Sequence, residues 1–420
     1  MKNVLVRLLL MVSVALFING CTTSTWSTYA IPDEADVASM LKGKPLTPET
    51  WHLDEASYPN FSVPQNVRPC CAFGDMQKVK LGPIPIPFFR LNNVVDIDDL
   101  GPHKFASGIY YYTPSSASAL SIGGSENNGL LYAKHGGFID LAHIRDTADD
   151  TIALFFEILA NLGNAHRIEL PAELGPRYIE LKAFDTSTLN DEQKWQLSAH
   201  LAARLAYFKA ESHEIAQWHG YSSFSRWPET ISAYSIEDLY SNMLGAKLTL
   251  ALIQQRKMLS EIQYNQNLTL WLNASLRELG AVDKSQAKDV LSAVDGVWWS
   301  SQEAIPNKYM VLKRHYGLGD HQAPYLLPQV LAGDDQSSDM FKLATSSPTV
   351  LSLPAMVEGL DLDKIALLVL EIAPDYAPTF SHIPEAIWSD RIDHTQFPLI
   401  AEYAEQQDRI DLEALGAIGE

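Results

Sequence analysis

The chain has 420 residues, of which 46% are hydrophobic and 20% are charged. These fractions lie close to globular averages, so they exclude a disordered chain, and no apolar run is long enough for a polytopic membrane protein. The 51 acidic residues outnumber the 31 Lys and Arg residues and give a net charge of −20. This balance argues against nucleic-acid binding and against charge-driven docking on anionic membranes.

The N-terminus has the pattern of a secretory signal. Lys2 and Arg7 precede an apolar run at 8–18, which is about half the length of a spanning helix. The run ends at Asn19-Gly-Cys21. Gly-Cys at this place resembles a bacterial lipobox, in which the cysteine is acylated and becomes the mature N-terminus. Asn19 departs from that pattern, and an ordinary cleaved signal is the alternative.

These residues predict a protein of the Gram-negative cell envelope. We expect residues 1–20 to be the signal peptide and Cys21 to carry the lipid, which makes the membrane a partner through that anchor. Thr22 resembles the residue that sends bacterial lipoproteins to the outer membrane, with the body facing the periplasm. Residues 21–65, rich in Thr, Ser, Pro and Asp, are predicted to be a tether, and 66–420 a single globular domain.

The rest of the chain is predicted to be mainly helical. Asn190 caps the longest predicted helix, and three prolines at 83–87 deny the extended segment 79–89 a central position in a sheet. Helices are predicted at 140–162, 191–218, 235–252, 265–279 and 285–294, with the 235 start resembling a capping box. Strands are predicted at 109–112, 130–132, 167–170, 178–184 and 365–372. The expected fold class is α+β, mainly α-helical, with small β-hairpin or sheet elements.

Cys70 and Cys71 are adjacent. Such a pair joins only through a strained ring, and neither cysteine has the spacing of a zinc site. Small buried residues near a turn are the favoured interpretation, and a vicinal or intermolecular disulfide is the alternative.

The first candidate for chemistry is the segment 135–150. At 100° per residue, Asp140 and His143 share one arc of the helix with Asp146 and Asp150, opposite an apolar stripe. His135 precedes two glycines, where a backbone can approach a ligand closely. The alternative for Asp146, Asp149 and Asp150 is a solvated acidic face near a helix N-terminus, and this alternative is weaker for Asp140 and His143.

The second candidate is the segment 207–221. His213 and His219 are six residues apart, so they do not form the H-E-x-x-H motif of a zinc protease. Glu211 and Glu214 align with Arg204 along one side of the helix, as a buried salt-bridge cluster or the wall of a polar pocket. His213 points about 100° away from Glu214, toward Lys209 and Gln217.

If the two helices pack together, their polar faces meet. His143, Asp140, Glu211 and His135 are then the expected ligands of a divalent metal such as zinc, with Glu214 and His213 as catalytic acid or base. The same groups suit a charged network that only holds two helices together.

Several motifs together carry a resemblance to a family. They are Arg-Pro-Cys-Cys-Ala-Phe-Gly at 68–74, Gly-Gly-Phe-Ile-Asp-x-Ala-His-x-Arg-Asp at 136–146 and His-Glu-Ile-x-x-Trp-x-Gly at 213–220. With the helix start at 237–242, the chain resembles bacterial envelope proteins of domain of unknown function family 4056. The resemblance implies an often lipid-anchored protein, brings no reaction with it, and points to Asp140, His143, Arg145, Asp146, His213 and Glu214.

Three hypotheses on function follow. The first is an outer-membrane-anchored, metal-dependent hydrolase facing the periplasm. The second is a noncatalytic envelope lipoprotein that binds a ligand or a protein partner and uses the polar cluster structurally. The third is a metal-free enzyme with a His/Asp acid–base pair. The sequence leaves open which of these the protein is.

Overall fold

The computed structural model describes residues 31–48, 58–68, 72–81, 84–106, 126–222 and 228–414. The predicted signal peptide, Cys21, the strand at 109–112 and the pair Cys70-Cys71 lie outside these residues. The described residues belong to one compact unit. None of their helices is long and apolar enough to cross a lipid bilayer.

Helices dominate the described residues. The α-helices are α1 (Glu34–Leu41), α2 (Leu141–Asn161), α3 (Asp191–Trp218), α4 (Asp238–Gln254), α5 (Glu261–Glu278), α6 (Lys284–Ala293), α7 (Asp339–Ala344), α8 (Leu362–Ile365) and α9 (Phe397–Ala414). The strands are β1 (Gln77–Leu81), β2 (Ile84–Leu91), β3 (Leu130–Ala133), β4 (Gly137–Asp140), β5 (His166–Leu170), β6 (Arg177–Leu181), β7 (Ala304–Ile305), β8 (His321–Gln322), β9 (Leu351–Ser352), β10 (Met356–Val357), β11 (Leu360–Asp361), β12 (Ala366–Glu371) and β13 (Arg391–Asp393). The mainly helical α+β class predicted from the sequence is confirmed.

Three packed helices form the centre of the fold. Helix α2 packs against both α3 and α4, so the two helices considered in the sequence are in contact. The approach of α2 to α4 is close at Gly245, where a Cβ atom would collide with the backbone carbonyl of Ile144. Glycine at this position therefore sets the spacing of two helices that carry cavity residues.

Small sheets pack around these helices, and their strand pairs are antiparallel except for β1 with β7. The largest has the order β13-β12-β6-β5, and in it Ile179 faces both Ile168 and Leu368. In the sheet β2-β1-β7, strand β2 lies at an edge, as its prolines predicted. The strands therefore support the helices rather than form a continuous layer of their own.

The hydrophobic core extends into the predicted tether. Val37, Met40 and Leu41 of α1 are buried in the main core, and α1 packs against α5. Phe61 is buried in the same core and stacks on Phe156. Part of the stretch 21–65 is thus a packed element of the body, because its apolar residues recur at helical spacing.

One helix start differs from its prediction. Helix α4 begins at Asp238, after Glu237, whose side chain makes no capping hydrogen bond. The Ser235 hydroxyl instead donates to the Glu237 carboxylate, at 2.6 Å. The prediction of a capping box at Ser235 is therefore wrong, because the Ser235 hydroxyl binds the Glu237 side chain and not a backbone amide at the helix end.

Candidate functional site

A cavity of about 510 Å³ opens between the central helices and the strands around them. Helices α2 and α3 supply most of its charged and polar wall. Charged and polar lining residues include Arg68, His143, Asp146, Thr147, Asp150, Glu173, Arg177, Lys209, His213, Gln217, Glu229 and Asn242. The aliphatic part of the wall comes from Val67, Ala72, Leu91, Ile231 and Ile305.

His213 reaches this cavity from α3 and is paired with a carboxylate. Its Nδ1 lies 2.8 Å from Glu173 Oε1, and its Nε2 lies 3.0 Å from the amide nitrogen of Gln217. Burial lowers the pKa of His213, but the negative charge of Glu173 outweighs burial, so the pKa is raised. Glu173 is held in turn by Arg177, at 2.7 Å. The pair is therefore a fixed imidazole–carboxylate dyad.

His143 forms a second dyad on α2. Its Nε2 lies 3.1 Å from Oδ1 of Asp238, the first residue of α4. Asp238 is fully buried, whereas the His143 side chain keeps 10% of its surface exposed and lines the cavity. A buried carboxylate beside one ring nitrogen orients an imidazole. Two such dyads thus open on one cavity.

The other charges of the wall are also paired. The Lys209 ammonium donates to both oxygens of Asp150, at 2.6 Å each. Arg68 contacts Asp146 at 2.7 Å and Asp149 at 2.9 Å. Asp149 and Asp150 are 1% and 6% exposed. The prediction that Asp149 and Asp150 form a solvated acidic face is therefore wrong, because the basic side chains of Arg68 and Lys209 cover them.

A fully buried histidine, His103, contacts the same carboxylates as Arg68. His103 Nδ1 lies 2.9 Å from Glu126 and its Nε2 lies 2.9 Å from Asp149. Arg68 binds the same two carboxylates. Burial lowers the pKa of His103, but its two carboxylate neighbours outweigh burial and raise it, which favours the imidazolium. This network joins the loop before β3 to α2 and fixes the position of Arg68.

Uncharged polar groups complete the wall. Asn242 of α4 accepts a hydrogen bond from the Thr147 hydroxyl at 2.8 Å. The amide nitrogen of Gln217 lies 3.4 Å from Glu229 Oε2. Among the described residues, Asn242 Nδ2 and Gln217 Oε1 have no hydrogen-bond partner, although both residues are only 2% exposed. Buried polar atoms in this state are uncommon in native proteins.

The part of the chain that forms the cavity matches a known protein family. A family model described as "Protein of unknown function (DUF4056)" matches residues 58–328, more than half of the chain. The chain belongs to the DUF4056 family. The matched range contains every residue that lines the cavity. No curated protein and no solved structure matches the chain.

In this DUF4056 chain the six residues predicted as metal ligands or catalytic groups do not form one group. Asp140 is the N-cap of α2 and accepts from the amide of Ala142, at 2.6 Å. Glu211 accepts from the amide of Gly319, at 2.6 Å, and His135 Nδ1 lies 2.8 Å from the carbonyl of Ser347. Only His143 and His213 line the cavity.

Glu214 is separated from His213, as helical geometry predicted. It is fully buried and accepts from the amide of Tyr234, at 2.6 Å. Burial, with repulsion from Asp238, raises the pKa of Glu214 to about 8, and burial raises that of Asp140 to about 6. Both carboxylates interact electrostatically with His143, but neither of them lines the cavity.

No group of three or more His, Cys, Asp and Glu side chains in the described part of the chain is arranged to hold a metal ion. The predicted ligands fail to converge because Asp140 is used as a helix cap and because His135 and Glu211 bind backbone groups elsewhere.

Sequence reasoning missed the partners of the two histidines. Asp238 lies in the stretch interpreted as a helix cap, and Glu173 lies in a turn between two strands. Gln217 and Asn242 carry no charge, and the segments 213–220 and 237–242 that contain them contributed to the family resemblance without assigning either residue a role. For His213, the direction toward Lys209 and Gln217 was the one signal in the sequence, and the 3.0 Å contact with Gln217 confirms it.

Proposed function

We propose that this protein is an envelope hydrolase in which His143 and His213 act as acid and base on a small substrate in the cavity. The observation that supports this most directly is that two imidazoles, each paired with a buried carboxylate, line the same cavity. The cavity volume lies within the range of small-molecule sites. One imidazole would take a proton from water while the other gives a proton to the leaving group.

Asp238 and Glu173 are positioning residues in this scheme. Each carboxylate lies within 3.1 Å of one nitrogen of its histidine, which orients the ring. Two ion pairs keep the wall of the cavity rigid, namely Lys209 with Asp150 and Arg177 with Glu173. Preorganised polar groups of this kind need no rearrangement when charge develops in the substrate.

A panel of chromogenic esters, anilides, phosphates and glycosides tests the proposal, with rates measured from pH 5 to pH 9. We expect His143→Gln and His213→Gln each to lower kcat by about 10²–10⁴-fold on the substrate that is turned over. The matched control is His166→Gln, because His166 pairs with Glu157 at the surface and is not a cavity residue. Full activity in either cavity variant would contradict the proposal.

The lipid anchor at Cys21 belongs to the same proposal. Its support is the signal-like N-terminus that ends in Gly-Cys, and it places the catalytic body at the periplasmic side of the outer membrane. Metabolic labelling with radioactive palmitate should mark the wild-type chain in the membrane fraction. Cys21→Ser should remove the label, and label retained in that variant would refute the anchor.

A metal-dependent hydrolase is the second candidate. The observation that favours it is that Asp140 Oδ2, Glu214 Oε1 and Asp238 Oδ2 are buried without a hydrogen-bond partner among the described residues. These side chains are not arranged as a metal site in the structure, so binding would require them to move toward one another. Carboxylate oxygens and imidazole nitrogens are common zinc ligands in proteins. Elemental analysis of protein purified without chelator decides between the candidates. Stoichiometric metal that is lost in His143→Ala supports the second, whereas activity that survives a chelator supports the first.

A further inference from the structure

Strand β5 leaves one edge of its sheet open. The sheet has the order β13-β12-β6-β5, so β5 has a neighbouring strand on one side only. The side chains of Arg167 and Glu169 keep 46% and 67% of their surface exposed, whereas Ile168 between them is buried in the main core. Among the described residues, no backbone–backbone hydrogen bond outside the β5–β6 ladder involves Arg167 or Glu169. Such an edge is a template for another strand.

The pairing register shows which backbone groups of β5 point outward. The Lys182 amide donates to the Ile365 carbonyl across the neighbouring β6–β12 pair, at 2.8 Å. Backbone groups alternate between the two sides of a strand, so three residues earlier the groups of Ile179 point toward β5, where they meet Ile168. The N–H and C=O groups of the residues on either side of Ile168 therefore point away from the sheet.

The sequence of β5 is complementary to itself. In an antiparallel pair centred on Ile168, Arg167 of one copy lies opposite Glu169 of the other, and a twofold axis repeats the contact. Both residues have outward backbone groups, so each Arg–Glu pair exchanges both of its backbone hydrogen bonds. Their side chains lie on the solvent face of the sheet, since the Ile168 side chain between them points into the core.

We propose that β5 pairs with β5 of a second copy of this chain, in the antiparallel register centred on Ile168. The pairing joins the two four-stranded sheets into one continuous sheet. The partner is a second copy because the strand itself carries the charges that complement it. The inference goes beyond the proposed hydrolase and does not depend on it.

The charges select this register over its neighbours. Within one strand the Arg167 Nε atom lies 2.6 Å from Glu169 Oε1. In the pair centred on Ile168, the charged side chains of the two strands alternate in sign round a square, and opposite charges that face each other stabilise a sheet. A pair centred on Arg167 would place arginine opposite arginine, and one centred on Glu169 would place glutamate opposite glutamate. Both of these registers are therefore disfavoured.

The Arg167 guanidinium is oriented before the second copy arrives. It lies over the Tyr178 ring, 3.4 Å from the ring centroid, and it pairs with Glu169 of its own strand. A side chain that is already ordered loses less conformational entropy on association. This orientation favours pairing at β5 over pairing at an edge with free side chains.

The length of β5 limits the strength of the pairing. Pro171 follows the strand, has no N–H group, and uses its carbonyl to accept from Arg177 Nε at 3.1 Å. The ladder therefore ends there, and the contact is smaller than a standard stable interface. We expect a reversible dimer with a dissociation constant on the order of 10⁻⁵–10⁻⁴ M.

Sedimentation velocity of the full-length mature protein in a density-matched detergent measures the pairing, from about 5 to about 500 µM. Wild type should shift from monomer to dimer over this range. Arg167→Glu and Glu169→Arg should each weaken self-association at least about tenfold, because like charges then face each other. The matched control is Arg409→Glu, which makes the same charge change at an exposed residue of α9 and should keep the wild-type dimer.

An equimolar mixture of the two β5 variants gives the sharpest measurement. In the mixed pair every acidic side chain of the Arg167→Glu strand faces an arginine of the Glu169→Arg strand, so the mixture should form dimers again. Damage to the fold of either variant would not produce this rescue. Melting curves followed by circular dichroism establish that each variant is folded.

Wild type that stays monomeric at about 500 µM would overturn the inference, since the Arg–Glu pair would then only guard the edge. Dimers that persist in both variants, or that fail to return in the mixture of folded variants, would also overturn it. If a variant does not fold, amide hydrogen exchange of wild type decides. Protection of the Arg167 and Glu169 amides should rise from the low to the high concentration, and unchanged protection refutes the pairing.

Discussion

Replacing Glu211 with glutamine should change how the stability of the protein depends on pH. Glu211 is fully buried in α3, and its Oε1 accepts from the amide of Gly319. Its other oxygen has no hydrogen-bond partner among the described residues. Burial raises the pKa of Glu211 to about 8. Glutamine matches the shape of the protonated carboxyl and keeps the acceptor for Gly319.

The expected magnitude follows from the two pKa values. The pKa of Glu211 is about 8 in the folded state, against an ordinary value of 4.5. Between these pH values the folded protein holds a proton that the unfolded chain has lost. The free energy of unfolding therefore falls as pH rises, by about 1.4 kcal/mol per pH unit. From pH 5 to pH 7 the contribution of Glu211 is a loss of about 2–3 kcal/mol.

Urea unfolding at pH 5, 6 and 7, followed by tryptophan fluorescence, measures this contribution. The Glu211→Gln variant should gain stability relative to wild type across the series, and the gain should level off above pH 8, where the carboxyl is ionised in both states. Glu402→Gln is the control, because Glu402 is an exposed carboxylate on α9. If the difference between Glu211→Gln and wild type is the same at all three pH values, the reasoning is refuted.

Three further substitutions test helix packing, a buried ion pair and a helix cap by the same unfolding assay. Gly245→Ala should lower the free energy of unfolding by about 1–3 kcal/mol, because its Cβ collides with the Ile144 carbonyl, although alanine is the better helix former. Lys209→Met should cost about 3–5 kcal/mol by leaving Asp150 buried without its partner, and an unchanged midpoint would contradict the role of that pair. Asn190→Ala should cost about 1 kcal/mol, since the Asn190 side chain accepts from the Gln193 amide at the start of α3.

Local signals predicted the secondary structure well. The helix predicted at 191–218 has the same bounds in the structure, because Asn190 forms a true capping box there. The strand predicted at 365–372 is one residue shorter at each end, since a continuous apolar run marks a buried strand. These features depend on neighbouring residues, which a sequence displays directly.

The site was less predictable because its contacts join distant segments. His143 and Asp238 are far apart in sequence, as are His213 and Glu173, and no local pattern brings them together. The acidic residues 149 and 150 look solvated in the sequence, since their covering partners Arg68 and Lys209 come from elsewhere. Helical periodicity locates a polar face, and only the tertiary fold decides what covers it.

The position of β12 in its sheet has a consequence for the folding pathway. β12 lies between β6 and β13, and Leu368 pairs with Ile179, roughly 190 residues earlier. Until that late strand is available, β6 has an open edge that can pair with another chain. Folding should therefore be slow and prone to aggregation at this edge, and conditions that keep the chain extended until its C-terminal part arrives should raise the yield of native protein.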